Sequence, residues 1–137
     1  MRASNPSRVL SCARSVCTSR SSFAFVTPIL EHGTDEQKTR ILPLLADGTR
    51  IGAFAMTEAE TGSSALDLRS RVRRAGNGYR LDGEKVFVTN GPIADFAVVV
   101  ARTADGSALN SLSAFVVDLN LPGVSRNAPE DMTGLRT

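Results

Sequence analysis

The sequence predicts an α+β fold in which one or two short helices precede a mostly antiparallel β body, a sandwich or partial barrel. Three observations lead there. A helix-start pattern followed by clustered leucines occurs just before Gly48. Beyond Gly48, short apolar runs recur at roughly ten-residue spacing between turn signals. No strand–helix–strand alternation and no GxGxxG phosphate loop interrupts them.

The chain has 137 residues, a single-domain length, and its 42% hydrophobic and 22% charged residues suit an ordinary globular core. Sixteen basic against 14 acidic residues leave a net charge of +2, which is no footprint for a nucleic-acid or polybasic membrane protein. The positive charge is concentrated at the front. Residues 1–22 hold four Arg and no acid, so the remainder carries −2. No run approaches the ~18 apolar residues of a membrane span. Cys12, Cys17 and the single His32 make neither a disulfide framework nor a metal-ligand spacing. A reducing compartment, the cytoplasm, is the expected location.

Residues 1–22 lack a hydrophobic period and an apolar signal core, and read as a disordered Arg/Ser-rich tail with free thiols. The same composition also fits an organellar transit peptide, which would place the protein in the mitochondrial matrix. Residues 23–49 form the helical part. The run FAFVTPIL is broken by Pro28, and His32-Gly33 punctuates the chain. Thr34 can then cap a helix with Asp35, Glu36 and Gln37 in its first turn, and Gly48 stops it. Pro43 predicts two short turns or a kink. Helices this short must bury their apolar flank against something else.

From residue 50 onward the period changes. IGAFAM (51–56) is of strand length, and TEAETGSS follows as a loop. Val72 alternates with Arg71 and Arg73, Gly76-Asn77-Gly78 turns, and Tyr79 and Leu81 share a face. Asp82-Gly83 turns again, KVFVTN reads as a strand, and ADFAVVVART (94–103) is the most strand-like run. A loop over 103–110 leads to LSAFVVDL (112–119), and Leu121-Pro122-Gly123 turns out of it. Five or six strands are expected. The last residues, EDMTGLRT, end without a finished element, so the β body of residues 50–137 is expected to be cut short.

Four of these segments together resemble the acyl-CoA dehydrogenase family. HGTDEQKTRILPLLADG (32–48) is similar to the close of its N-terminal helical domain, and IGAFAMTEAETGSS (51–64) to the opening of its middle β-domain. LDGEKVFVTNGPIADFAVVVART (81–103) matches the following strands, and MTGLRT (132–137) a GLR stretch. The resemblance runs from His32 onward in the right order and spacing. It implies the family's FAD-dependent α,β-dehydrogenation of an acyl thioester, on coenzyme A or another carrier, with electrons passing to an electron-transfer flavoprotein or, in oxidase relatives, to oxygen.

Residue by residue, the resemblance implies that Met56 and Thr57 hydrogen-bond the flavin ring. Phe87, Val88 and Thr89 would pack at the flavin, with Phe87 where the family usually has Trp. Gly62 and Ser63 would lie near the acyl-CoA and the cofactor's phosphates. The residue types suit such a ligand. A flavin is a planar apolar ring with a polar edge, served by an aromatic neighbour, placed hydroxyls and free backbone N–H groups. On a strand, Phe87 and Thr89 would face the same side.

Taken singly, these residues are ordinary. Thr57 and Thr89 are β-formers, Phe87 core filler and Gly62 a turn glycine. Ala59, Thr61 and Ser64 also depart from the family's usual Pro, small residue and Asp. The resemblance assigns the catalytic base to neither Glu58 nor Glu60, and no residue here is identified as one. The expectation is therefore a flavoprotein fragment, inactive as this chain alone, that needs a C-terminal half or a homo-oligomeric partner to complete the site. The alternative is a non-catalytic β-domain that binds a partner chain or an acyl thioester without redox chemistry.

Overall fold

The computed structural model describes residues 23–103 and 111–129. The expected tail over 1–22, most of the loop over 103–110 and the MTGLRT stretch lie outside the described residues. Two helices lead into a five-stranded mixed sheet that does not close. The described part of helix α1 runs over 23–32, and α2 covers Asp35–Ala46. The strands are β1 (Gly52–Ala55), β2 (Arg71–Ala75), β3 (Gly78–Asp82), β4 (Phe96–Arg102) and β5 (Leu112–Asp118). A single 3₁₀ turn, Ala65–Asp67, lies between β1 and β2.

The start of α2 follows its sequence signature. Thr34 Oγ1 accepts the Gln37 N–H at 3.2 Å while Gln37 Oε1 accepts the Thr34 N–H at 2.9 Å, a reciprocal capping box. The helix ends at Asp47, with Gly48 at φ 74° beyond it. Neither proline divides its helix as expected. Pro43 stays inside a continuous α2, because it and Thr39 are exposed and water can satisfy the Thr39 carbonyl that Pro43 leaves unpaired. Pro28 likewise lies within α1.

Strand β4 is the spine of the sheet. It pairs antiparallel with β5 along its whole length, from Phe96 opposite Asp118 to Arg102 opposite Leu112. On its other side it pairs parallel with β1, Gly52 opposite Phe96 through Ala55 opposite Val99. Farther along that side, Arg71 of β2 meets Arg102 in a short parallel contact. The β2–β3 hairpin turns through Gly76-Asn77 and aligns Val72 with Leu81 and Arg74 with Tyr79. Antiparallel pairing thus dominates, and the parallel β1–β4 pair makes the sheet mixed.

Alternation along β1 and β4 divides the core in two. One face meets the helices: Phe25, Ile29 and Ile41 pack with Val98 and are joined by Phe54, Phe96 and Val116. Glycine is required at position 52, where a Cβ would come within 2.3 Å of the Phe25 ring. The other face is built from Ala53, Ala55, Ala94, Ala97 and Val99, with Leu81, Val88 and Val117 against it. Asp95 locks the entry to β4. It accepts the Ile51 N–H at 2.9 Å and pairs with Arg50.

Candidate functional site

Where β1 ends, the half-buried Met56 and Thr57 leave the sheet. Glu58 and Thr61 then form an isolated bridge, each backbone N–H donating to the other's carbonyl at 3.3 and 3.1 Å. Ala59 and Glu60 are its exposed tip, and Gly62 and Ser63 follow, also exposed. A Cβ at Gly62 would meet nothing within 4 Å, and the residue is not among those at positive φ. The fold itself does not require glycine there.

The second segment corrects the expectation of a strand at KVFVTN. Residues 85–90 are irregular, because their polar groups are taken by the loop after β1 and by local turns instead of a strand ladder. The Val86 N–H donates to the Thr57 carbonyl at 2.9 Å. Phe87 then adopts φ 54° and Asn90 φ 65°, left-handed conformations that are uncommon for side-chain-bearing residues and unfavourable for a bulky one. Turns close behind them: the Gly91 N–H donates to the Val88 carbonyl at 2.8 Å and the Ala94 N–H to Asn90 at 2.8 Å.

The turn sorts the side chains differently from a strand. Val88 points into the small-residue core, Thr89 is half-buried, and the Phe87 ring is 69% exposed. Phe87 is therefore not core filler. The segment of Phe87, Val88 and Thr89 is tied to that of Met56 and Thr57 by the Val86–Thr57 and Lys85–Met56 hydrogen bonds. Gly62 and Ser63 share the loop of Thr57.

Linking the two segments is an ion pair that the sequence alone did not suggest. Lys85 Nζ donates to Glu58 Oε1 at 2.7 Å and to the Met56 carbonyl at 3.0 Å. Both side chains are less than a tenth exposed. The Glu58 carboxylate also accepts the Arg69 N–H at 2.6 Å and the Ser70 N–H at 2.9 Å. Burial by itself would raise the Glu58 carboxyl, but Lys85 and the hydrogen bonds from Ser70 and Arg69 outweigh it and hold the pKa at about 2. Burial pulls the Lys85 ammonium below its usual value, against the opposing pull of Glu58. A carboxylate so acidic and so fully engaged is unsuited to general-base work near neutrality. Glu60 is occupied too, in an exposed pair with Arg69.

One sequence signal could have found the pair. Only Lys38 and Lys85 are lysines in a chain with 14 arginines, and a compact ammonium can reach two converging acceptors where a planar guanidinium needs more room. A second buried cation, Arg102, donates to the carbonyls of Leu66 and Leu68 and to Ser111, fastening the 3₁₀ turn to the end of β4. Among the described residues there is no cluster of metal-ligating side chains, and no helix is long and apolar enough to cross a membrane.

Residues 53–137 match the family model of the acyl-CoA dehydrogenase middle domain. The chain is 39% identical over 126 residues to an acyl-CoA dehydrogenase of Bacillus subtilis, covering 92% of this chain and 33% of that protein. It is 41% identical over 116 residues to an L-prolyl-[peptidyl-carrier protein] dehydrogenase of Pseudomonas fluorescens, covering 84% and 30% respectively. The FAD complex of PigA superposes with a TM-score of 0.75 at 32% identity, over 90% of this chain and 32% of PigA. The chain thus spans about a third of the length of these relatives. The order of elements, the loop after β1 and these matches together show that the chain belongs to the acyl-CoA dehydrogenase family and carries its middle domain.

Proposed function

We propose that the wall formed by Met56, Thr57, Phe87, Val88 and Thr89 is one side of a flavin site serving the α,β-dehydrogenation of an acyl thioester. The observation that carries this reading is Phe87, an exposed aromatic ring on a backbone at φ 54°, fixed beside the loop of Thr57. A fold tolerates a bulky left-handed residue with its ring in water when the ring has a partner to meet. The named residues fit a flavin chemically: an apolar ring surface from Phe87 and Val88, and hydroxyls from Thr57 and Thr89.

In this reading Thr57 and Thr89 hold the polar edge of the cofactor, and Phe87 shields its apolar face from water. Bound FAD would supply the acceptor for the substrate's β-hydrogen, and its electrons would pass on to an electron-transfer flavoprotein. Gly62 and Ser63 form the approach for the thioester, where a bare backbone lets a ligand come close. The carrier is coenzyme A or a carrier protein; the relatives include dehydrogenases named for each. Neither Glu58 nor Glu60 is assigned as the base for the α-proton, since both are engaged with cations. With one side of a flavin site and no residue identified as the base, the 137-residue chain alone is expected to be catalytically silent.

The test is gel filtration of the purified chain with added FAD, read at protein and flavin wavelengths. Co-elution of flavin with a folded peak supports the half-site, and a folded peak without flavin overturns it. Thioester binding without flavin would favour a non-catalytic binding module. Flavin-dependent turnover of acyl-CoAs with an artificial electron acceptor would overturn the expectation that the chain alone is silent.

A further inference from the structure

We infer that Lys85 is the positioning residue of this wall: anchored on Glu58, it sets the Phe87 turn against the loop that follows β1. The inference rests on the flavin reading for its functional meaning but on contacts within the chain for its geometry.

The two halves of the wall are far apart in sequence and share no strand ladder. Lys85 joins them through bonds to residues 29 and 27 positions earlier, the Met56 carbonyl and Glu58 Oε1. The next residue adds the Val86–Thr57 backbone bond, and the one after that is Phe87. The left-handed turn therefore begins immediately beyond a doubly bonded ammonium. On its far side the turn is closed by Gly91 and Ala94 donating to Val88 and Asn90. A left-handed non-glycine residue is strained and persists when its surroundings over-determine it. Here the determination comes from both sides.

The anchor is itself fixed. Glu58 is held by the N–H groups of Arg69 and Ser70, and the Ser70 carbonyl accepts the Arg102 N–H at 2.8 Å, which ties the frame to β4. Gly83, at φ 155°, brings the chain over Ser70 so closely that a Cβ would lie 2.2 Å from Ser70 Oγ. That approach delivers Lys85 to Glu58. A continuous set of contacts thus runs from the sheet through Ser70, Glu58 and Lys85 to Phe87. It assigns the acidic residue beside Thr57 a mechanical task and no proton-transfer role.

The test uses the full chain with and without FAD, comparing wild type, Lys85→Met and Lys85→Arg by residue-resolved amide exchange and by retention of flavin on gel filtration. In Lys85→Met the Val86 amide should exchange at least ~10-fold faster while Val98 and Val116 keep their protection, and flavin retention should fall by about tenfold. Lys85→Arg, which keeps the charge but needs more room at the two converging acceptors, should recover only part of the Val86 protection lost in Lys85→Met. Unchanged Val86 exchange in Lys85→Met overturns the inference. Protection lost equally across β4 and β5, including outright unfolding, also overturns it by showing a general structural role. If the wild type retains no flavin, the flavin reading fails, while the exchange of Val86 still decides the role of Lys85.

Discussion

Glu58 concentrates three donors on one buried carboxylate, and its acidity makes that arrangement measurable. Its folded pKa of about 2 lies below the ordinary value of 4.5. The charged form is therefore favoured by folding, and its contribution is fully present above about pH 4.5. It is lost as pH falls from there through about 2. The shift corresponds to roughly 3 kcal/mol. Urea unfolding at pH 5 and pH 3 should show wild type losing more stability across that interval than Glu58→Gln. Equal losses in the two proteins would refute the coupling. Gly62 makes the opposite kind of residue-level test, because no atom of the chain lies within 4 Å of an added Cβ. Gly62→Ala should change stability by less than ~0.5 kcal/mol and weaken acyl-CoA binding several-fold, about 1 kcal/mol. Isothermal titration would check the binding. A variant that binds as wild type removes Gly62 from the ligand approach.

Among the elements, those whose neighbours impose a simple alternation were legible in the sequence. Strand β4 reads from its unbroken apolar run because both of its faces are covered, by the helices on one side and the alanine-rich core on the other. The start of α2 reads from Thr34 and Gln37 because capping is a local exchange of hydrogen bonds. The KVFVTN segment misled because its β-branched and aromatic residues promise a strand, whereas long-range bonds to Thr57, Met56 and Glu58 decide its conformation. The parallel pairing of β1 with β4 was hidden for a related reason: alternation marks a strand without naming its partner. Of the candidate site, the residue types were readable and their arrangement was not, since the turn separates Phe87 from Thr89 where a strand would align them. Gly52→Ala tests the element-level packing. The added methyl would press on the Phe25 ring, costing roughly 1–3 kcal/mol in denaturant unfolding. A cost below ~0.5 kcal/mol would mean that α1 docks less closely on β1.

Across the molecule, the helices and the sheet share one apolar interior. Phe25, Ile29 and Ile41 have 0%, 1% and 0% exposure, and none of them could be so buried without the sheet residues Val98 and Phe54. Phe25→Ala should cost about 3–5 kcal/mol. It should lower the thermal midpoints of helix circular dichroism and of β4 amide protection together. Helix melting ahead of an unaltered sheet would show the two to be separate cooperative units. The exposed face carries a different message. Phe87 and Ile93 are 69% and 57% exposed, and both belong to the segment 83–94 that closes over the alanine-rich core.

The close fit of Phe25 over Gly52 also bears on how this piece of sequence can be handled in the laboratory or reused in a new setting. Separating the helices from the strands between the last helical turn and β1 would strip Phe54, Phe96 and Val116 of their cover. Anyone excising, swapping or fusing this unit should therefore carry residues 23–48 along with the strands. A protease offered the intact chain should find the 47–50 linker a poor place to release a soluble β product.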